Sequence, residues 1–415
     1  METDLPAARP VGVHRDPART GSGMARIAFF LAALGPGVIG MTADNDAGGM
    51  LSYLVTGASH GLRWLLPALI LLGVPSLFVM WLACRVSQVT HLPYSKVLIG
   101  AVGRPVAAAE AVAIFALNVL ILVTEFVGMT LALGLAGIPI AVSLPLTFVL
   151  VVALTGSHLY ARIEELLLRT SVVSLAFIPA LLLLHPAPGA FTRAFSAHVA
   201  NPWFLLLALA GNAIAPWMIY WQQNAAWAGV ERTPGQQFWD IATGVISLVI
   251  KAGVVLLLGA LITGGPSSAS DPLRWVYTSG GHLVGMLFAL GIFDAGLVAA
   301  CTISLSSLWT LREAFGAGAE HPSDSPTRGP WLGVHLGTLA LSAAFVLLPH
   351  LSAGSVALWA NALPGVWMPV SLILLGIVVS SRRIMGARVI RPATKVALGA
   401  VIAVFLAASV LGLAL

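Results

Sequence analysis

The chain has 415 residues, 58% of them hydrophobic and only 9% charged, with a mean hydropathy of +0.95 and a formal net charge of +5. A soluble domain carries about a quarter charged residues, so this composition leaves no room for one. Apolar runs of roughly 20 residues, each long enough to cross ~30 Å of hydrocarbon as a helix, recur along the whole length.

Taken in chain order, residues 1–23 are polar and rich in Ala, Arg, Gly and Pro. They lack the apolar core of a signal peptide and are expected to form a disordered cytoplasmic tail. Residues 24–415 read as a single transmembrane domain of about eleven spans, at 27–57, 64–84, 106–135, 138–158, 165–185, 203–228, 238–262, 281–311, 331–349, 355–380 and 395–414. Span 1 is interrupted by GPG at 35–37 and by TADNDAGG at 42–49. Cys84 in span 2 and Cys301 in span 8 are too few for a disulfide framework or a Cys-rich metal site. Span 3 carries Glu125, two turns beyond Asn118 on the same helix face, which reads either as a proton carrier or as part of a polar stripe.

Span 6 is interrupted near its middle by Gly211-Asn212 and Ala215-Pro216. Proline removes a backbone hydrogen bond and glycine weakens the helix further. Trp217, beside that break, is a packing residue or a gate. Gln222, Gln223 and Asn224 line a watery vestibule or make polar contacts with neighbouring helices. Span 7 holds Lys251 and span 8 holds Asp294 at similar depth. They form an intramembrane ion pair, or the lysine ammonium stands in for a coupling ion. His91, His158, His185, His198 and His350 fall at span ends or in loops without metal-binding spacing. Trp203, Trp275 and Trp331 near span boundaries fit an aromatic belt.

The net positive charge is a topology signal and does not point to nucleic acid. With the N-terminus inside, Lys and Arg crowd the inner segments, while the outer ones hold Arg63, Arg193 and Arg274. The expected location is a plasma (inner) membrane, with a cytoplasmic N-terminus and the C-terminus outside. Under this topology spans 1 and 6 run in opposite directions. Paired broken helices in two inverted five-helix halves mark a transporter's substrate site. Repeat one covers about 24–185, repeat two about 203–380, and an extra helix about 395–414.

Backbone freed by a helix break must line a cavity and cannot face lipid. Freed carbonyls and carboxylates are hard oxygen donors suited to Mg²⁺, Mn²⁺ or Ca²⁺. A charge at the bilayer centre costs about 3 kcal/mol, so Asp44 and Asp46 need a bound cation or a proton. The plainer alternative is that Asp46 only caps the second half of span 1. Asp44 reads as a ligand, a vestibule charge or a cap.

The string GPGVIGMTADNDAGG resembles the first-helix motif of the Nramp family (natural-resistance-associated macrophage proteins), in which a Gly-Pro-Gly precedes Asp-Pro-Gly-Asn. GNAIAPWMIYWQQNA is similar to that family's broken sixth helix, and LFALGIFDAGLVAACTISLSSLWTLREAFG looks like its eighth. The resemblance implies proton-coupled divalent-metal transport on an all-α fold of the LeuT/APC type, an inverted 5+5 repeat with helices 1 and 6 broken. Carried over by position, the family's Asp falls on Asp46 and its metal-binding Asn on Gly49. Its thioether Met falls on Ala215, its two His on Trp217 and Gln222, and a metal-reaching Gln on Asn361. Glu125 is kept, while the family's Asp three residues earlier becomes Leu122. The implied ligands are Asp46 and the carbonyls of Ala43 and Ala215, with Asp44, Asn212 and Asn361 as further candidates.

The losses at Gly49 and Ala215 remove two ligands and are expected to widen the cavity. A wide, oxygen-lined site suits a partly hydrated Mg²⁺. The pattern is similar to the Nramp-related magnesium transporters, which carry Asp-Ala-Gly and Ala-Pro-Trp at the two breaks. The resulting expectation is a secondary transporter importing Mg²⁺ and/or Mn²⁺ by alternating access with weak or no proton coupling. It would act as a monomer in the lipid bilayer, with no cofactor, nucleotide or nucleic acid. The alternatives are a proton-coupled Mn²⁺/Fe²⁺ transporter, an amino-acid carrier of the same fold, and, last, an intramembrane metal-dependent enzyme built on Asp44-Asn45-Asp46.

Overall fold

A computed structural model describes residues 34–59, 61–156, 160–196, 202–228, 232–262, 271–316, 327, 329–349 and 352–414. The tail 1–23 and the residues His158, His198 and His350 lie outside these.

Span 1 is split into α1 (Pro36–Asp44) and α2 (Ala47–Ala58). Span 2 is α3 (Leu62–Thr90), followed by a short α4 (Tyr94–Val102). Spans 3 and 4 are α5 (Arg104–Leu135) and α6 (Ile140–Thr155). Span 5 runs from α7 (Tyr160–Thr170) through a 3-10 turn at Val173–Ala176 into α8 (Phe177–Leu182). A short α9 (Ala190–Ser196) precedes span 6, which is α10 (Pro202–Ala213) and α11 (Pro216–Ala228). Span 7 is α12 (Pro234–Leu261), then come α13 (Pro272–Ser279) and span 8, α14 (His282–Ala314). Spans 9, 10 and 11 are α15 (Pro330–Phe345), α16 (Ala353–Ser380) and α17 (Pro392–Ala414).

Among the described residues eight helices are long and apolar enough to cross a membrane, α6 and α15 are shorter apolar helices, and the split span 1 brings the spans to eleven. The protein is an all-α polytopic membrane protein. Many helices open on proline at the first position, where its missing N–H costs nothing and its fixed φ suits the helix. The span 3–4 corner closes on Gly137 at φ 83, with the Ile138 N–H returning to the Leu133 carbonyl at 3.0 Å. His91 takes the left-handed conformation (φ 49) that ends α3. Side chains such as Leu71, Val74 and Leu182, 67–78% exposed, form the apolar surface that lipid covers. Trp275, expected in an aromatic belt, is instead buried in the protein at 8% exposure, packed in the core beside Leu273 and Val276.

The breaks of spans 1 and 6 are brought together, and the two spans run antiparallel. The Trp221 indole donates to the Pro36 carbonyl at 3.0 Å, at the start of span 1. Further along, Gly49 meets Asn212. Span 7 runs parallel to span 1. Its early Asp240 accepts from the N–H groups of Gly35, Gly37 and Val38 at 2.7–3.0 Å. Further along it, the Leu248 carbonyl accepts from the Asn45 amide at 2.9 Å. These contacts have the alternation required by two inverted five-span halves.

Candidate metal site at the paired helix breaks

Asp44, Asn45 and Asp46 are poor helix formers in succession, and α1 ends where they begin. Asn45 (φ −80, ψ 50) leaves the helix and Asp46 is extended (φ −68, ψ 174), accepting at its Oδ1 from the Gly49 N–H. The capping role weighed from the sequence is therefore present. It does not exhaust the site, because a second carboxylate also reaches the start of α2. Glu125 Oε2 accepts from the Ala47 N–H at 2.9 Å, and its Oε1 accepts from Thr124 Oγ1 at 3.0 Å. Two acids thus meet the positive end of α2. In a continuous helix the Ala47 N–H would close on the Ala43 carbonyl. Glu125 has drawn it away, so the Ala43 carbonyl loses that donor.

In span 6, Pro216 has no N–H for the Asn212 carbonyl. The Ala213 carbonyl is taken by Ser76 Oγ at 2.8 Å, and the Ala215 carbonyl accepts from Met218 N at 3.1 Å. The Ala215 N–H donates to the Met218 sulfur at 3.3 Å. A thioether is therefore present near the break, three residues after the family position, and is engaged by backbone.

The space left by Gly49 is not open, contrary to expectation. A Cβ there would collide with the Asn212 amide, which fills that volume from the opposite break. Gly48 is likewise closed by Thr124, and Ala47 sits against Gly128 and Gly296. Asp44 and Asp46 are each 3% exposed, so the site is shut from solvent in this conformation. Several buried polar atoms around it have no hydrogen-bond partner: Asp44 Oδ2, Asn45 Oδ1, the Tyr53 hydroxyl and both ends of the Asn212 amide. Among the described residues no three His, Cys, Asp or Glu side chains converge as a metal cluster. The oxygen donors are a pair of acids supplemented by amide, hydroxyl and carbonyl groups.

The remaining candidates are distributed around this centre. Asn361 donates its amide N–H to the Ala357 carbonyl of its own helix at 2.7 Å. Close by, Gly211 lets α10 touch the span 10 backbone at Asn361 and Gly365. Trp217 is buried in the core, its carbonyl accepting from Ser306 Oγ at 3.4 Å. Gln222 donates to Cys84 Sγ at 3.4 Å and leaves Oε1 without a partner, while Gln223 and Asn224 bond to Leu92 O and Tyr94 N. Asn118 donates to Ser307 Oγ of span 8.

Lys251 and Asp294 do not form the direct ion pair expected of them. Ser174 stands between, its Oγ accepting from Lys251 Nζ at 3.2 Å and its N–H donating to Asp294 Oδ2 at 2.9 Å. The Ser174 N–H is available because span 5 is itself broken there, a feature the sequence reading missed. Pro179, which cannot donate to the Leu175 carbonyl, was the available signal. Asp240 and Tyr53 were also missed. Asp240 is an acid near the start of an apolar span, facing a Gly-Pro-Gly with no side-chain cap of its own.

Against known proteins, the family model described as natural resistance-associated macrophage protein-like matches residues 37–415. No protein of curated function matches the chain. Among solved structures, a manganese transporter of Eremococcus coleocola, in complex with an aromatic bis-isothiourea substituted compound, superposes with a TM-score of 0.75 at 16% identity, over 95% of this chain and 88% of that one. A histidine-to-alanine mutant of the same transporter gives 0.74 at 17% identity, with the same coverage. A nucleobase-cation-symport-1 family transporter in a closed conformation gives 0.57 at 12% identity, over 92% and 90%. At these identities the likeness establishes the inverted-repeat fold.

Proposed function

We propose, from the premise that the chain belongs to the natural-resistance-associated macrophage protein family, that it is a secondary transporter importing divalent metal cations by alternating access. Mg²⁺ and Mn²⁺ are its substrates. The observation that carries this reading is the meeting of two broken, antiparallel helices at Gly49 and Asn212, with Asp44 and Asp46 buried beside unpartnered oxygen atoms. Two acids cannot remain ionised in such a place without a cation. The metal transported by the Eremococcus protein supports the same class of substrate. The donors on offer are hard oxygens, and the nearby Met218 sulfur is occupied by the Ala215 N–H, which supports Mg²⁺ and Mn²⁺ over softer ions. This is the ion preference of the Nramp-related magnesium branch.

Proton coupling is weak or absent in this reading. The one acid kept from the family's proton route, Glu125, has one oxygen on the Ala47 N–H at the start of α2 and the other on its neighbour Thr124 Oγ1. The opposing reading is a proton-coupled Mn²⁺/Fe²⁺ carrier. Purified protein in liposomes separates them: metal uptake should proceed without acidification reported by an internal pH dye, and strong metal-driven proton entry would reject the uncoupled reading. The site itself is tested by Asp46→Ala. If that variant transports Mg²⁺ and Mn²⁺ as well as the parent, the assignment is wrong. The basic inner loops support a cytoplasmic N-terminus in a plasma membrane.

A further inference from the structure

We propose that Asn212 and Tyr53 act as one unit at the metal site, Asn212 turning its amide oxygen to the ion and Tyr53 holding the amide in that orientation. The inference rests on the reading of the Asp46 break as the ion site, and it adds a ligand pair split between the two broken helices.

Asn212 is 1% exposed, and neither end of its amide has a hydrogen-bond partner. A buried amide left in that state is costly, and an alanine or leucine there would avoid the cost. Its position explains its retention. The amide oxygen, nitrogen and carbon all lie where a side chain at position 49 would begin. Only glycine there admits the amide into the first turn of α2, at the residue whose N–H donates to Asp46. Span 6 thus delivers an uncharged oxygen donor to the place where span 1 delivers its carboxylate.

An amide has an oxygen end and an NH₂ end, and only the oxygen binds a cation. Something must set which end faces the ion. Tyr53 is one turn beyond Gly49 on the same face of α2. It is fully buried, and its hydroxyl lies against the Asn212 amide without a hydrogen bond of good geometry to any group. A phenolic oxygen accepts from the amide NH₂ and so leaves the carbonyl oxygen for the ion. Tyr53 is on this account a positioning residue, acting through Asn212.

Uptake of Mn²⁺ and Mg²⁺ into proteoliposomes tests both parts. Tyr53→Phe is expected to raise KM about fivefold, the scale of one lost hydrogen bond, with little change in the maximal rate. Asn212→Gly should raise KM about tenfold, as for a lost ligand of the uncharged kind, and Asn212→Ser, which keeps one oxygen, should fall between. In the Asn212→Gly background, Tyr53→Phe should add nothing. Gly49→Asn alone should block uptake by collision, and Gly49→Asn combined with Asn212→Gly should restore it by moving the amide to span 1. An equal effect of Tyr53→Phe with and without Asn212 would overturn the pairing. A double exchange no better than Gly49→Asn alone would overturn the ligand role. If Asp46→Ala abolishes uptake while these outcomes fail, the pair is wrong and the site stands; if Asp46→Ala transports normally, the site itself is wrong.

Discussion

Membrane helices are interrupted at two places in this molecule, within span 5 and at the paired breaks of spans 1 and 6, and the polar groups there are left in opposite states. At the break of span 5, both polar groups of Ser174 are engaged: its N–H goes to Asp294, and its hydroxyl donates to the Ser171 carbonyl at 2.8 Å and accepts from Lys251. At the paired breaks of spans 1 and 6, Asp44, Asn45, Tyr53 and Asn212 all keep unpartnered polar atoms in a dry interior. A break alone therefore does not identify a binding site. On the proposed reading, what marks the paired breaks is the set of polar atoms that the protein leaves there for something else to satisfy.

That contrast can be broken experimentally, and the largest expected effect is at the open break. Asp46→Ala should remove Mg²⁺ and Mn²⁺ uptake at working concentrations, since truncating one partner of a buried charge contact costs about 2–5 kcal/mol, or ~30-fold and more in affinity. Proteoliposome flux at graded metal concentration checks it. The closed break should answer differently. Lys251→Met is expected to lower stability by about 3 kcal/mol, because Asp294 and Ser174 lose their buried cation. Its KM for metal should be unchanged; a shifted KM would make Lys251 part of the transport machinery and dissolve the distinction.

A thermal-shift series sharpens the comparison further. Saturating Mn²⁺ should stabilise the parent and Lys251→Met alike, by about 2.7 kcal/mol at a hundred times Kd. It should do nothing for Asp46→Ala. The smallest effect is expected from Ser174→Ala, about 1 kcal/mol for the lost hydroxyl, seen as a slightly lower Tm with normal flux.

The spans and the breaks in spans 1 and 6 were legible in the sequence, because they depend on local features: apolar run length, and Pro, Gly and Asp inside such a run. Asp46 was legible for the same reason. The elements that complete the site depend on contacts between residues far apart. Asn212 fills the space at Gly49 from another span, and the expectation of a widened cavity failed because a missing side chain says nothing about what moves into the gap. The Lys251–Asp294 pair was inferred from matched depth, which cannot reveal a serine lodged between them. Glu125 was read as a proton carrier or a polar stripe, and its grip on the Ala47 N–H could not be anticipated without the position of α2.

Asp240 at one tip and Leu248 near the other fasten α1 lengthwise to span 7. Nine residues of helix and the matching stretch of its neighbour are thereby riveted like two slats. A swing of α1 away from the bundle must either carry the first turns of span 7 along or strip three amides bare at once. Bare amides are tolerable only where water has already entered, so unfastening and flooding belong to a single event, and a half-open, dry intermediate is disfavoured.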